Sequence, residues 1–397
     1  MLRTLKKYVL TFFVLILGFF ALSCLPAALP NDRVNEHVTE SNAQIKQEGT
    51  YPIINGNDWG SRLDNFTDQL MLSKAQTDTH QSVVQSAMDV RDYPRYWHGY
   101  LFFLKPLLMI GNYQATRQLY SFVWLLLLGI NCYWLAKKIN LQAVIALVFS
   151  LALVRVMVFP LSLQFSHVFL IGMLFNWYLL TRPDNYFTQR RYFLDFFIVG
   201  ALVNFIDLLT VPLVPLGMSL VTLLAMRNQT QLSLKDDLSL LLGVGFSFGL
   251  GYGLTWVAKW VIASVILQRN VVKDAIEQIF FRTGGAYHEQ TITYPMVLTQ
   301  NLSLVANRLT VAFGGLTVIG LLIQQFRSTG HWRFTWRHVA LLLTCLIPFV
   351  WYFVLKNHSF VHYYFTYREL FITSYAGLML VGLLKTPTSP SQVSAPA

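Results

Sequence analysis

The sequence predicts an all-α polytopic membrane protein with about ten transmembrane helices and a large first extracytoplasmic loop. Three observations predict it. Only 12% of the residues are charged, 54% are hydrophobic and 15% are aromatic, whereas soluble domains carry about 25% charged residues. Apolar runs long enough to cross a bilayer recur from end to end. Lysine and arginine gather in the short connections, while the acidic residues concentrate in one long polar segment.

The elements follow in order. Arg3, Lys6 and Lys7 precede an apolar run over 8–29, long for a signal peptide, which reads as an uncleaved first span. The polar segment 31–99 holds ten of the nineteen acidic residues. It is too rich in aromatics to be a disordered linker. Within it, Asp64 to Leu72 reads as a capped helix that puts Asp64 and Asp68 on one face. Residues 100–110 are apolar but too short to span, and Lys105-Pro106 interrupts them, so they read as a surface or re-entrant helix. Further spans are expected at 118–136, 141–158, 167–180, 193–206 and 208–226, with only Asp207 separating the last two. The remaining spans are 238–262, where five glycines are spaced for close helix packing, then 302–323, 339–355 and 370–384. Arg155, late in the third span, reads as snorkelling to the interface. Residues 385–397 are Pro/Ser-rich and read as a disordered cytoplasmic tail behind one transmembrane domain over 1–384.

Charge sets the topology. With the N-terminus inside, the connections at Lys137, 182–191, 227–237 and 324–338 all fall inside, and they carry most of the short-loop Lys and Arg. Both termini are then cytoplasmic. The same threading puts 31–99, 267–300 and 356–369 together on the extracytoplasmic face of the plasma membrane.

Several classes are excluded. The net charge of +11 is scattered among apolar spans and forms no basic stripe, so nucleic acid is not a partner; anionic headgroups and topology account for the excess. Cys24, Cys132 and Cys345 lie in apolar stretches without a Cys or His at ligand spacing, so neither a disulfide framework nor a zinc site is indicated. No phosphate-binding glycine loop, nucleophile elbow or zinc signature occurs.

The three long segments hold the ionisable inventory of a site. The first supplies Asp58, Asp64, Asp68, Arg95 and His98, the second Arg282 and His288, the third His358, His362 and Arg368. Each has a plainer reading. A loop carboxylate is usually solvated, Asp64 and Asp68 could simply cap a helix, and Arg368 could anchor to headgroups. His358 and His362 stand at i and i+4, one face of a helix, but without the glutamate of a zinc-protease pattern. No cofactor or metal site is therefore assigned, and a divalent metal stays open.

The layout resembles the GT-C class of integral-membrane glycosyltransferases: one span, a large acidic outer loop, then many spans. The stretches Asp64-Asn65-Phe66-Thr67-Asp68, Tyr93-Pro94-Arg95-Tyr96-Trp97-His98-Gly99 and His362-Tyr363-Tyr364-Phe365-Thr366-Tyr367-Arg368 also resemble those of polytopic membrane proteins of Gram-positive bacteria. The resemblance implies transfer of a sugar from a polyprenyl-phosphate carrier to an envelope glycan outside the membrane, with a first-loop carboxylate as general base. Asp58 or Asp64 would then be the base, with Asp68 supporting it. Arg95, Arg282 and Arg368 would meet the donor phosphate, and His98, His288, His358 and His362 the substrates. A transporter or flippase of lipid-linked sugars, or a glycan polymerase or ligase, is the alternative.

Overall fold

A computed structural model describes residues 2–227, 234–328, 331–332 and 334–386. The chain is helical nearly throughout. The first polar segment follows α1 (Leu2–Ala28) and contains α2 (Asp32–Glu48), α3 (Asn65–Lys74) and α4 (Val83–Asp89); the apolar α5 (Leu101–Ile110) comes directly after it. The body continues with α6 (Tyr113–Lys138), α7 (Leu141–Leu153), α8 (Leu163–Leu180), α9 (Asp184–Thr188), α10 (Tyr192–Ile206), α11 (Val214–Met226) and α12 (Leu234–Leu267). Then come α13 (Val271–Thr283), α14 (Tyr294–Ser303), α15 (Arg308–Arg327), α16 (Trp336–Thr344), α17 (Ile347–Val354), α18 (Lys356–Val361), α19 (Tyr363–Thr366) and α20 (Leu370–Gly382). Four two-residue strands pair as small antiparallel ladders: β1 (Ala286–Tyr287) with β2 (Gln290–Thr291), and β3 (His331–Trp332) with β4 (Lys385–Thr386).

Among the described residues, six stretches are long and apolar enough to cross a membrane: most of α1, α6, α8, α12, α15, and α16 with α17. Shorter apolar helices, among them α5, α7, α10 and α11, pack among them. Large apolar side chains stay exposed along α1, α6, α12, α15 and α17, for example Leu17, Phe122, Phe246, Leu309 and Val350. Water would penalise such a surface, whereas acyl chains match it, so the chain is a membrane protein.

Several expected spans have different bounds. The expected helix at 208–226 begins only at Val214, because Asp207–Leu213 is an irregular connection in which Leu209 has φ 67°. The run at 141–158 breaks after Leu153: Arg155 is left-handed at φ 60°, and a 3-10 turn (Val156–Leu161) follows. The run at 339–355 breaks between α16 and α17, where Pro348 opens the second helix. The polar segments are more helical than their patterning suggested. Of the five glycines in α12, Gly251 presses on the backbone of α10 so closely that a Cβ would overlap it, and Gly243 meets Phe193. Gly245, Gly249 and Gly253 have no such neighbour. Close packing thus belongs to one side of that helix. The expected tail begins in β4, and its remainder, 387–397, lies outside the described residues.

The bundle has two different ends. At one, Arg190 pairs with Asp236, the Arg337 guanidinium donates to the Arg227 carbonyl at 2.8 Å, and β3 pairs with β4. Three of the short basic connections expected on one side, 182–191, 227–237 and 324–338, therefore touch one another. At the other end lie α2 to α4, α13, α14, α18 and α19. The 34 residues of α12 join the two ends, a separation of about 50 Å. Beyond the far end of α12, Arg269 pairs with Asp89.

Candidate functional site

The polar end is built from segments far apart in sequence. Asp64 caps α3, accepting from the Thr67 amide at 3.1 Å and the Thr67 hydroxyl at 2.8 Å. The Tyr364 hydroxyl of the third segment donates to the same carboxylate at 3.3 Å. One turn before α3, a 3-10 turn (Trp59–Ser61) is capped by Asp58, which accepts from the Gly60 amide at 3.1 Å. Arg155 clamps Asp58 through Nε and Nη2 at 2.8 and 3.1 Å. Arg155 is buried, so this is an interior ion pair rather than a snorkelling cation. Its left-handed backbone turns the side chain back into the protein.

Arg368 and Tyr367 lock the turn from the third segment. The Arg368 guanidinium donates to the carbonyls of Gly60 at 3.2 Å and Tyr364 at 2.9 Å, and lies 4.0 Å from the centre of the Phe165 ring. The Tyr367 hydroxyl donates to the Gly60 carbonyl at 2.6 Å. Arg62 sits among Tyr364, Tyr51 and Trp59, 4.0, 4.7 and 5.4 Å from the ring centres. Its Nε is buried without a partner. Residues 58–64 and 364–368 thus bring carboxylates, guanidinium groups and aromatic rings to one place.

Asp68 has a different environment. It is fully buried and accepts from Ser162 Oγ at 3.1 Å, from the Leu163 and Gln164 amides at 3.0 Å each, and from the Tyr113 hydroxyl. Those amides open α8, which lacks a cap from its own Ser162. Asp68 therefore caps α8 from a distant segment, where the positive end of the helix favours an anion. Burial pushes its carboxyl up to about 6, against the opposing pull of Tyr113 and the α8 amides. Asp64 is also pushed up by burial.

A second cluster lies on the other side of the third segment. Arg282, in the last turn of α13, donates to His358 Nδ1 at 2.8 Å, and His358 Nε2 donates to the Leu209 carbonyl at 3.0 Å. The His358 and His362 rings lie 4.9 Å apart. Burial and the Arg282 charge push both imidazoles well down, His362 to about 4, so both are neutral at pH 7. Asp207, in the connection between α10 and α11, accepts from the Thr210 amide at 2.8 Å. Glu369 accepts from the Leu213 amide at the start of α11 at 3.2 Å. Each carboxylate keeps one buried oxygen without a partner, as do Thr210 Oγ1 and His362 Nδ1. Burial raises both carboxyls, Asp207 to about 6.

The remaining expected site residues lie apart from these clusters. Arg95 is held by Asp274 at 2.8 and 3.0 Å, which ties the first segment to the second. His98 has both ring nitrogens engaged, with Tyr93 O at 2.9 Å and the Tyr100 hydroxyl at 3.1 Å. His288 is exposed in the β1–β2 turn at φ 51°. Of the three expected phosphate contacts, Arg282 is the one whose side chain bonds a neutral imidazole rather than a carboxylate or backbone carbonyl. Among the described residues no group of three His, Cys, Asp or Glu side chains is arranged to hold a metal ion. Patterning alone did not single out Arg62, and Tyr364 stood out only as part of the 362–368 stretch. The one available hint was Arg155, a lone cation late in an apolar run that needs an anion.

The fold and site define a polytopic helical membrane protein with a buried ionic network at one end. No family model, curated protein or solved structure matches this chain.

Proposed function

We propose that the protein is a GT-C-like membrane glycosyltransferase. It moves a sugar from a polyprenyl-phosphate carrier to an envelope glycan at the polar end, which faces out of the cell. Ten membrane passages, with both termini cytoplasmic, place the basic connections inside, as the distribution of positive charge favours. One observation carries the reading: Asp58 and Asp64 converge with Arg62, Arg155, Arg368 and Tyr364 beside lipid-facing helices.

Asp58 is the general base in this reading. Its side chain is 26% exposed, and Arg155 fixes its orientation. The acceptor hydroxyl gives its proton to Asp58 as its oxygen bonds to the anomeric carbon. The bond from that carbon to the carrier phosphate breaks, and the electron pair leaves with the phosphate. Arg282, from the neighbouring cluster around His358, steadies the departing charge. Asp64 supports by holding Tyr364 beside Arg62. Asp68 and Arg368 act as positioning residues, because their bonds go to the α8 N-terminus and to backbone carbonyls. Neutral His358 keeps Arg282 in place.

The test is transfer from a radiolabelled polyprenyl-phosphate sugar in proteoliposomes. Asp58→Asn is expected to insert and to lose about 10²- to 10⁴-fold in rate, the usual weight of a general base, and to unfold at a lower temperature than the wild type because buried Arg155 loses its anion, so rates are compared where both proteins are folded. Full activity in both Asp58→Asn and Asp64→Asn removes the base assignment. Carrier translocation without transfer would instead establish a flippase.

A further inference from the structure

The first segment contains a cleft that the proposed chemistry does not use. It lies between α2 and α3, has a volume of about 420 Å³, and is lined by Asn42, Lys46, Thr50, Asn65, Phe66 and Gln69 among others. That volume falls in the range of small-molecule sites, roughly 300–1,000 Å³. Phe66 is 59% exposed, although its helix buries Met71 and Leu72. Asn42 Oδ1 is buried with no partner.

We propose that this cleft binds a neutral carbohydrate chain, which seats the acceptor glycan beside Asp64 and Asp58. The inference rests on the transferase reading for its purpose but not for its chemistry. A sugar ring offers an apolar C–H face and a rim of hydroxyls. Phe66 supplies a flat apolar partner for the face. Asn42, Gln69 and Thr50 supply amide and hydroxyl groups for the rim. Asn65 forms a rigid wall, because its amide is already bonded to Glu48 at 3.0 Å and to the Gly49 carbonyl at 2.9 Å.

Charge is sparse at the cleft, so hydrogen bonding and stacking carry recognition there. Glu48, next to the cleft, is neutralised by Arg117 at 2.6 and 3.0 Å, and Lys46 is the single charged residue among those lining it. The polar walls also argue against acyl chains. The exposed face of α15, with Leu309, Val311, Phe313 and Leu316, is what a lipid-facing wall of this protein looks like. Position completes the case. Asp64 is the cap of α3 and faces Tyr364, while Phe66, two residues on, faces the cleft. A chain lying along α3 would bring its end to the carboxylates.

The test uses the full chain in nanodiscs with cellotetraose, laminaritetraose, maltotetraose and chitotetraose. Binding is read by saturation-transfer NMR and calorimetry. At least one tetrasaccharide binds, and Phe66→Ala weakens it about tenfold, as loss of one aromatic contact does. Because Phe66 is exposed, its thermal unfolding is unchanged. Asp58→Asn keeps the binding even where transfer is lost. Binding without transfer from any donor would remove the transferase reading and leave the cleft standing. No binding by the wild type, or equal binding by Phe66→Ala and the wild type, overturns the cleft. So does quenching of a Phe66→Trp variant by brominated lipid with sugar affinity unaltered, which would make Phe66 a bilayer anchor.

Discussion

The two ends of this bundle use the same charged residues for different purposes. At the basic end, Arg190 meets Asp236 at 3.4 Å with the side chains 52% and 38% exposed. At the polar end, Arg117 meets Glu48 at 2.6 Å and Arg155 meets Asp58 at 2.8 Å, with both arginine side chains under 10% exposed. The first pair is screened by water and salt. The other two lie in an interior where leaving one member unpaired is expensive. At the basic end, a count of cations is all that the positive-inside rule requires. At the polar end the buried charges have assigned partners, and several of these pairings cross from one long segment to another, as Arg95 does to Asp274 and Arg282 to His358. The difference suggests that the polar end is held rigid for a task.

That contrast can be broken most directly at Asp68. Asp68→Ala leaves two α8 amides and two hydroxyls without their acceptor. We expect a loss of about 3–5 kcal/mol, measured by thermal unfolding in detergent. A loss under about 1 kcal/mol would mean that α8 finds other caps and that the polar end is less integrated than its geometry implies.

The pH dependence of stability gives a second, smaller effect. Asp68 and Asp207 titrate near 6 in the folded protein, against about 3.9 for an unperturbed aspartate. The folded values are the higher ones. Their contribution to stability is therefore complete below about pH 4 and is lost as pH rises through about 6. The loss is of order 3 kcal/mol per group. Asp207→Asn should flatten the fall in melting temperature between pH 4 and 7, and an unchanged profile would show that Asp207 does not titrate there.

The smallest effect is expected at the other end. Arg190→Ala should change stability by no more than about 0.5 kcal/mol, in the same unfolding assay. A loss comparable with that of Asp68→Ala would erase the distinction between the two ends.

Much of the scaffold was legible because lipid imposes simple rules. Apolar length marked most of the crossing helices, and the cap at Asp64 followed from its place before an apolar pattern. The breaks were harder to read. Residues 208–213 look as apolar as a span, but Asp207, Glu369 and His358 bind their backbone and hold them out of a helix. Arg155 looked like a cation reaching for the interface, and its real partner lies 97 residues away.

By itself, the sequence determined that the chain is a helical membrane protein with three polar segments to bring together, since hydropathy and charge act locally along the chain. Only the tertiary structure decided which partners each carboxylate meets. Asp58, Asp64 and Asp68 are alike in a string of letters. One meets Arg155 at a partly open edge, one holds Tyr364, and one is buried under α8. Their chemistry is set by burial and by partners contributed from distant segments, and sequence distance does not record either.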